Sequence, residues 1–230
     1  MLDAVLFDWG NTLVQFEWDE DLLVAGHRAG LAALGREPEA GGFSARYRDE
    51  LLPRLHEPGA SDRLDYAAEL RSLLGDADVD AFLDAEHEAW RPARSLVSSA
   101  HALLEALRGR GLKLAVVANA WPEPARLVRR EIEELGVLER IDTLTLSNVG
   151  ARKPGPLIFE RALSELGVVA VHALFVGDRL VDDVQGAADV GMTTVQALWF
   201  RADDDTSGIE PDFMAFTPMD VLNVVRRLAL

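Results

Sequence analysis

The sequence predicts an α/β fold whose parallel sheet is interrupted, after its first strand, by a helical insertion. In residues 1–13 and 99–230, short apolar segments alternate with helical patterns, which is typical of a parallel sheet covered by helices on both faces. Residues 14–98 contain no convincing strand and show long helical patterns separated by turns. We therefore predict a core domain of residues 1–13 and 99–230 and a cap domain of residues 14–98.

The predicted strands are short, apolar and followed by polar or small residues. In chain order they are Ala4–Phe7, Leu114–Val117, Thr143–Leu146, Leu174–Val176 and Thr193–Leu198. The helical patterns of the core domain cover Ala100–Arg108, Glu123–Glu134, Pro156–Leu166 and Asp183–Val190. Pro156 suits the first turn of a helix and Gly167 suits the position just past its end, so both boundaries of that helix are marked.

The cap domain is predicted to be helical throughout. Its helical patterns cover Asp21–Leu34, Ser44–Leu55, Leu64–Leu74 and Val79–Trp90. Proline and glycine cluster at Pro38–Gly42 and Pro58–Gly59, which indicates turns between these helices.

The composition excludes several classes of protein. The 230 residues include 39 acids and 23 bases, a formal net charge of −16, whereas nucleic acids and anionic membranes require a basic surface. The absence of cysteine excludes a disulfide framework, a thiolate zinc site and a cysteine nucleophile. No apolar segment approaches the ~18 residues of a membrane span, and the acidic start of the chain does not resemble a secretory signal. We expect a soluble, cytoplasmic protein.

Polar side chains follow the predicted strands at the edge where a parallel sheet binds ligands. Asp8 follows the first strand, Asn119 follows the second, and Asp178 follows the fourth. Asp8 is either a carboxylate nucleophile aimed into a cleft or the cap of a turn. Asn119 either donates its amide to an anionic substrate or closes its turn.

A lysine and a group of carboxylates complete the candidates. Lys153, one of only two lysines, lies just before the helix that begins at Pro156, where a compact ammonium attracts anions unless it is merely solvated. Asp178, Asp182 and Asp183 would repel one another if they packed together without a cation, and carboxylate oxygens suit Mg²⁺. Asp182 or Asp183 is alternatively the N-cap of a helix.

The order of these residues resembles the motifs of one family over nearly the whole chain. The motifs are Asp8 with Thr12, Asn119, Lys153-Pro154, and Gly177-Asp178 with Asp183. They are similar to those of the haloacid dehalogenase-like (HAD) hydrolase superfamily, and the helical insertion resembles its C1 cap. The resemblance implies a Rossmann-like core.

The resemblance also implies roles for the residues. Asp8 would be the nucleophile, Lys153 would steady the nucleophile and the negative charge of the substrate, and Asn119 and Thr12 would bind the substrate. The ligands of a Mg²⁺ ion would be Asp8, the main-chain carbonyl of Gly10, Asp178 and Asp183, with Asp182 as an alternative to Asp183. The substrate would be a small anionic metabolite, cleaved through an aspartyl intermediate at Asp8.

Two positions depart from the pattern of the family's phosphatases. Gly10 stands where they have a second aspartate, the general acid and base. General acid–base catalysis contributes ~10²–10⁴-fold to the rate. The hydroxyl residue of their second motif is replaced by Ala118, which removes one hydrogen bond to the phosphoryl group. Both departures predict a less efficient phosphatase.

Three hypotheses therefore remain open. The first is a Mg²⁺-dependent phosphatase acting on a small phosphorylated metabolite, favoured by the retained acidic residues. The second is a metal-independent 2-haloacid dehalogenase, which needs no acid at position 10 but would not need Asp178 and Asp183. The third is a catalytically weak binding protein, favoured by Gly10 and Ala118.

A further class of the family is excluded. Its phosphonoacetaldehyde hydrolases require a cap lysine, and the predicted cap contains none.

Overall fold

The computed structural model describes residues 2–57, 59–147, 150–200 and 208–228. The chain forms two compact units. We call residues 1–16, 95–120 and 129–230 the core unit, and residues 17–94 and 121–128 the insert unit. The domain boundaries predicted from the sequence stay a prediction.

The core unit is built on a six-stranded sheet whose neighbouring strands are all parallel. In chain order, the strands of the protein are β1 (Ala4–Phe7), β2 (Val14–Phe16), β3 (Arg94–Leu96), β4 (Lys113–Ala118), β5 (Thr143–Leu146), β6 (Ala173–Gly177), β7 (Thr193–Ala197) and β8 (Phe213–Ala215). The six strands lie in the order β5-β4-β1-β6-β7-β8, and β2 pairs with β3. The predicted α/β fold is confirmed, and all five predicted strands are present to within one residue at each end.

The helices, in chain order, are α1 (Glu20–Ala33), α2 (Ala40–Arg46), α3 (Leu52–Leu55), α4 (Ala60–Arg63), α5 (Tyr66–Leu74), α6 (Val79–Trp90), α7 (Ala100–Arg108), α8 (Ala125–Glu134), α9 (Pro156–Leu166), α10 (Gly186–Asp189) and α11 (Asp220–Leu228). The predicted boundaries of α6, α7 and α9 are confirmed at both ends. The helix predicted over Asp183–Val190 is confirmed only as the short α10, because the residues up to Gln185 belong to a π-helical turn, Leu180–Gln185. No helix among the described residues is both long enough and apolar enough to cross a bilayer.

The register of the sheet aligns the carboxyl ends of its central strands. Phe7, the last residue of β1, pairs with Val116 in β4 and with Val176 in β6. These strands are apolar on both faces and almost wholly buried, as is usual for parallel strands covered on both sides. The residues that follow them therefore emerge at one edge of the sheet.

The prediction that residues 14–98 contain no strand is wrong at both ends of that segment. β2 and β3 have three residues each and pair with one another. Three residues are too few to show the alternation that identifies a strand in a sequence. The helical insertion between β2 and β3 is nevertheless confirmed.

Two glycines let helices α1 and α6 of the insert unit approach closely. A Cβ on Gly30 would come within 2.5 Å of the Phe82 ring, and one on Gly26 would overlap the Trp90 indole. Glycine costs ~1 kcal/mol of helix propensity relative to alanine, so at these positions the close approach outweighs the propensity. The Trp90 indole N–H donates to the Leu22 carbonyl at 2.9 Å and ties the two helices together.

A polar cluster is buried between the helices of the insert unit. His27 in α1 is fully buried, with Nδ1 at 2.9 Å from Ser44 Oγ and Nε2 at 3.6 Å from Oε1 of Glu86, which is also buried. The rings of Phe43 and Tyr47 lie 4.9 and 4.5 Å from the imidazole, measured between centroids. Such surroundings penalise charge on either group.

Burial shifts the pKa values of the two groups in opposite directions. It lowers the pKa of His27 from 6.5 to about 4, and the charge of Arg48 acts in the same direction. It raises the pKa of Glu86 well above 4.5, with Glu123 adding to the rise and Arg94 opposing it. Above the lowered pKa of His27 and below the raised pKa of Glu86, the folded pair therefore holds one proton, on Glu86. In the unfolded chain between pH 4.5 and 6.5, the pair also holds one proton, on His27.

Replacing Glu86 by glutamine should disturb this balance. In the wild type, the proton that the folded state holds on Glu86 offsets the one that the unfolded state holds on His27, which weakens the pH dependence of the pair's contribution to stability. In Glu86→Gln only His27 titrates, and its lowered folded pKa gives stability that is present above pH 6.5 and lost as the pH falls towards 4. We expect the free energy of unfolding of the variant to fall by ~2 kcal/mol, relative to wild type, between pH 6.5 and 4.5.

Urea denaturation followed by circular dichroism at several pH values measures this difference. Glu50→Gln, at an exposed glutamate of the same unit, is the matched control and should follow the wild-type curve. A Glu86→Gln curve that runs parallel to the wild type over this pH range would contradict the proton assignment.

Candidate active site at the carboxyl edge of the sheet

The residues after β1 form a tight turn, which we call the Asp8 turn (residues 8–14). The Asp8 N–H still donates to the Val176 carbonyl at 2.8 Å, so this residue lies where the β1–β6 ladder ends. Asn11 has a φ of 55°, in the left-handed region that asparagine tolerates better than most residues. The Trp9 carbonyl accepts three main-chain N–H groups at 3.3, 2.9 and 3.0 Å, from Thr12, Leu13 and Val14.

The turn places Thr12 near Asp8 and leaves position 10 open. The Thr12 hydroxyl donates to Asp8 Oδ2 at 3.4 Å, a long hydrogen bond. A Cβ built on Gly10 meets no other atom within 4 Å. A side chain at position 10 would therefore enter free space beside the turn.

Lys153 is fixed by the side chain of Asn119. Asn119 Nδ2 donates to the Lys153 carbonyl, and Asn119 Oδ1 accepts the Lys153 N–H, both at 2.9 Å. The buried ammonium lies 5.5 Å from the centroid of the Phe175 ring, a cation–π distance. In this structure the Asn119 amide positions Lys153, and the predicted contact of Asn119 with substrate stays a prediction.

Asp183 reaches the site from the π-helical turn and depends on a glycine. Its side chain is fully buried, and its Oδ2 accepts the Arg179 N–H at 3.0 Å. Gly177 ends β6, and a Cβ on it would overlap the Asp183 side chain. Single π-helical turns occur frequently at functional sites, since they change the direction in which side chains project.

Asp182 lies outside this arrangement. Its Oδ2 pairs with Arg179 Nε at 3.1 Å, and its side chain is partly exposed. Of the two neighbouring aspartates that the sequence leaves as alternatives, Asp183 is the one that lies with Asp8 and Asp178.

One ammonium bridges two of a group of three buried carboxylates. Asp8, Asp178 and Asp183 each offer an oxygen within 4.8 Å of the others. Lys153 Nζ donates to Asp8 Oδ1 at 2.5 Å and to Asp183 Oδ1 at 2.6 Å. With all three carboxylates ionised, one ammonium leaves two negative charges unbalanced, which suits a divalent cation bound through oxygen.

The pKa values of Asp8 and Lys153 reflect burial and mutual charge. Burial raises the pKa of Asp8 from 3.8 to about 6, while the charge of Lys153 lowers it and that of Asp183 raises it. Burial lowers the pKa of Lys153, but the charges and hydrogen bonds of Asp183 and Asp8 reverse this effect, so the net shift is upward. At neutral pH the Asp8 carboxylate therefore lies beside an ammonium.

The structure thus brings together Asp8, Thr12, Lys153, Asp178 and Asp183, and connects Asn119 to the site through Lys153. Two further contributors are Gly177, which the sequence motif includes without a role of its own, and Phe175, which the sequence pattern does not single out. A glycine at the end of a buried strand is a known signal of close approach, so Gly177 could have been found from the sequence. Phe175 could not, because it reads only as a buried strand residue.

A family model of haloacid dehalogenase-like hydrolases matches residues 2–191 of this chain. The chain belongs to this family. The resemblance drawn from the motif order is confirmed, and the helical insertion of this HAD-like hydrolase is consistent with a C1 cap.

Two curated relatives are phosphatases. The glyceraldehyde 3-phosphate phosphatase of Methanopyrus kandleri is 31% identical over 100% of this chain and 99% of its own length. The phosphoserine phosphatase of Thermus thermophilus is 28% identical over 86% of this chain and 88% of its own length. This HAD-like hydrolase is therefore phosphatase-like by homology, and its relatives differ in their named substrates.

Solved structures of the family share the fold. The crystal structure of a HAD phosphatase from Thermococcus onnurineus superposes with a TM-score of 0.70 at 26% identity, covering 97% of this chain and 98% of that one. A HAD-hydrolase from Bacillus subtilis, described as bound to magnesium, gives a TM-score of 0.64 at 18% identity, with 97% and 98% covered.

Gly177→Ala tests the close approach of β6 and Asp183. The added methyl group overlaps the Asp183 side chain, and overpacking of this kind costs ~1–3 kcal/mol. We expect the free energy of unfolding, measured in urea, to fall by that amount. The control Gly41→Ala meets no atom within 4 Å and should leave stability unchanged or slightly raised. Equal stability of the two variants would show that Asp183 is not confined by Gly177.

Proposed function

We propose that this HAD-like hydrolase is a Mg²⁺-dependent phosphatase that cleaves small phosphomonoesters through a phosphoryl group carried on Asp8. The observation that carries the proposal is the buried group of Asp8, Asp178 and Asp183, in which Lys153 bridges Asp8 and Asp183. The phosphatases among its relatives support the same class of substrate.

The donor set fits Mg²⁺. The three carboxylates are oxygen ligands held close together, and their charge exceeds that of the single ammonium. We assign Asp8, Asp178, Asp183 and the main-chain carbonyl of Gly10 as the ligands. The relative from Bacillus subtilis is described as bound to magnesium. When bound, the ion would offset the negative charge of the carboxylates and of the incoming phosphate.

Asp8 is the proposed nucleophile. Its carboxylate attacks phosphorus, the bond from phosphorus to the ester oxygen breaks, and the leaving group departs as an oxyanion that takes a proton from solvent water. Water then cleaves the aspartyl phosphate and restores the Asp8 carboxylate together with inorganic phosphate. Lys153, hydrogen-bonded to Asp8 Oδ1, counters the negative charge that the substrate adds to the site.

Gly10 and Ala118 limit the rate in different ways. Position 10 offers no group to protonate the leaving alcohol, so the reaction depends on how readily that alcohol leaves as an anion. Ala118 offers no hydroxyl to the phosphoryl group, which removes one charge-assisted hydrogen bond. The enzyme should accordingly favour esters of acidic alcohols and phenols.

Phosphate release from a panel of phosphomonoesters tests the proposal. Activity should require Mg²⁺, disappear with a chelator and be lost in Asp8→Asn. Asp183→Asn should lower Mg²⁺ affinity more than ~10-fold by isothermal titration calorimetry. Its neighbour Asp182 pairs with Arg179 instead, so Asp182→Asn is the matched control and should keep activity and affinity.

Two results would contradict this function. One is the absence of phosphate release from every ester with Mg²⁺ present, together with no fluoroberyllate adduct on Asp8. The other is activity that a chelator leaves unchanged, and halide release from 2-haloacids under those conditions would identify a dehalogenase instead.

Restoring a carboxylate at position 10 tests the missing acid. Gly10→Asp adds a side chain where a Cβ has free space, so the fold should tolerate it. We expect rates with alkyl phosphates to rise by at least ~10-fold, within the ~10²–10⁴-fold range of general acid–base catalysis. With a series of aryl phosphates, the dependence of rate on leaving-group pKa should become shallower.

Gly10→Asn is the matched control, because it has the same size without an ionisable group. It should leave the leaving-group dependence of the wild type unchanged. An equal gain in Gly10→Asn and Gly10→Asp would show that the side chain acts by shape rather than by proton transfer.

A further inference from the structure

Two indole groups hold the Asp8 turn through hydrogen bonds, one at Trp9 and one at Thr12. Trp9, inside the turn, donates its Nε1–H to Glu131 Oε1 at 2.8 Å. Trp199, which follows β7, donates its Nε1–H to the carbonyl of Thr12 at 2.9 Å. All of these residues belong to the core unit.

The first contact is buried and involves an acidic side chain. Trp9 is 4% exposed and Glu131, on α8, is 7% exposed. A hydrogen bond to a carboxylate in such surroundings is stronger than one between neutral groups and has a preferred direction. The indole of Trp9 is therefore fixed relative to α8, and with it the carbonyl of Trp9 around which the turn is organised.

The second contact acts on the main chain directly. The Thr12 carbonyl accepts the indole N–H of Trp199, which is separated from it by 187 positions in the sequence. Thr12 is fully buried, and its hydroxyl donates to Asp8. Trp199 thus fixes the residue that contacts the proposed nucleophile.

Besides its main-chain hydrogen bonds, the turn gains little restraint from its own side chains. Gly10 has no side chain and the widest conformational freedom of any residue type. Asn11 adopts a left-handed conformation that costs energy for a residue other than glycine. The hydrogen bond from Thr12 to Asp8 is long, so it adds little restraint.

We propose that Trp9 and Trp199 are positioning residues for the Asp8 carboxylate and the Gly10 carbonyl. Neither indole is assigned a contact with substrate. Their role in catalysis rests on the proposed phosphatase function. Their role in restraining the turn rests only on the two hydrogen bonds. The two statements therefore need separate measurements.

Hydrogen exchange of the metal-free protein tests the restraint without any assay of activity. The amides of Leu13 and Val14, which donate to the Trp9 carbonyl, report on the turn. In Trp199→Phe they should exchange about tenfold faster, the loss expected for one hydrogen bond. Trp18→Phe, at a half-exposed tryptophan of the insert unit, is the control and should match wild type.

Kinetics on the full chain with Mg²⁺ tests the positioning. Trp199→Phe and Trp9→Phe should lower kcat by about tenfold while KM changes less than about twofold, since misplacing reacting groups raises the barrier more than it weakens binding. Glu131→Gln keeps a carbonyl oxygen as acceptor and should retain kcat. Glu131→Leu removes the acceptor and should reproduce the loss seen in Trp9→Phe.

The outcomes separate the possibilities. Faster exchange of Leu13 and Val14 with a selective loss of kcat supports the proposal. Unchanged exchange in Trp199→Phe overturns it, as does equal activity of Glu131→Gln and Glu131→Leu. If wild type releases no phosphate, the proposed function fails, and hydrogen exchange still decides whether the indoles restrain the turn. If Trp199→Phe does not fold, the Glu131 pair of variants provides the decision.

Discussion

The ammonium of Lys153 between Asp8 and Asp183 is the interaction on which the arrangement of the site depends. Three buried carboxylates within 4.8 Å of one another would otherwise face desolvation and mutual repulsion. The lysine is in turn oriented through its main chain by Asn119 and supported by the Phe175 ring. Hydrogen bonds to Lys153 therefore connect the motifs of Asp8, Asn119 and Asp183.

The two units deal with buried polar groups by different means. In the core unit, opposite charges face one another, and the pKa of Lys153 rises as a result. In the insert unit, His27 and Glu86 lie among aromatic rings, and both are neutral when the proton they share between them is on Glu86. The first arrangement suits a site that receives a charged substrate, because its field is already in place. The neutral pair suits a core that binds no charged ligand, because it avoids burying charges.

Much of this organisation follows from sequence rules. Apolar strands alternating with helices predict the parallel sheet, and the rule that ligands bind at the carboxyl edge identifies Asp8, Asn119 and Asp178. The choice between Asp182 and Asp183 could not be predicted, because it depends on a π-helical turn that periodicity does not reveal. β2 and β3 are too short to show an alternating pattern, and their pairing joins distant parts of the chain, so the sequence does not reveal them. Trp199 stands just past β7, so the same edge rule, applied to every strand, would have included it.

Gly10 is exposed, and the free space beside it gives this position of the site evolutionary latitude. In most buried sites a new side chain requires neighbouring residues to change with it, so gains of function need several mutations at once. Here a Cβ contacts nothing within 4 Å. A single-base change converts some glycine codons into aspartate codons, so a lineage carrying this turn can gain or lose a carboxylate beside Asp8 without repacking its core.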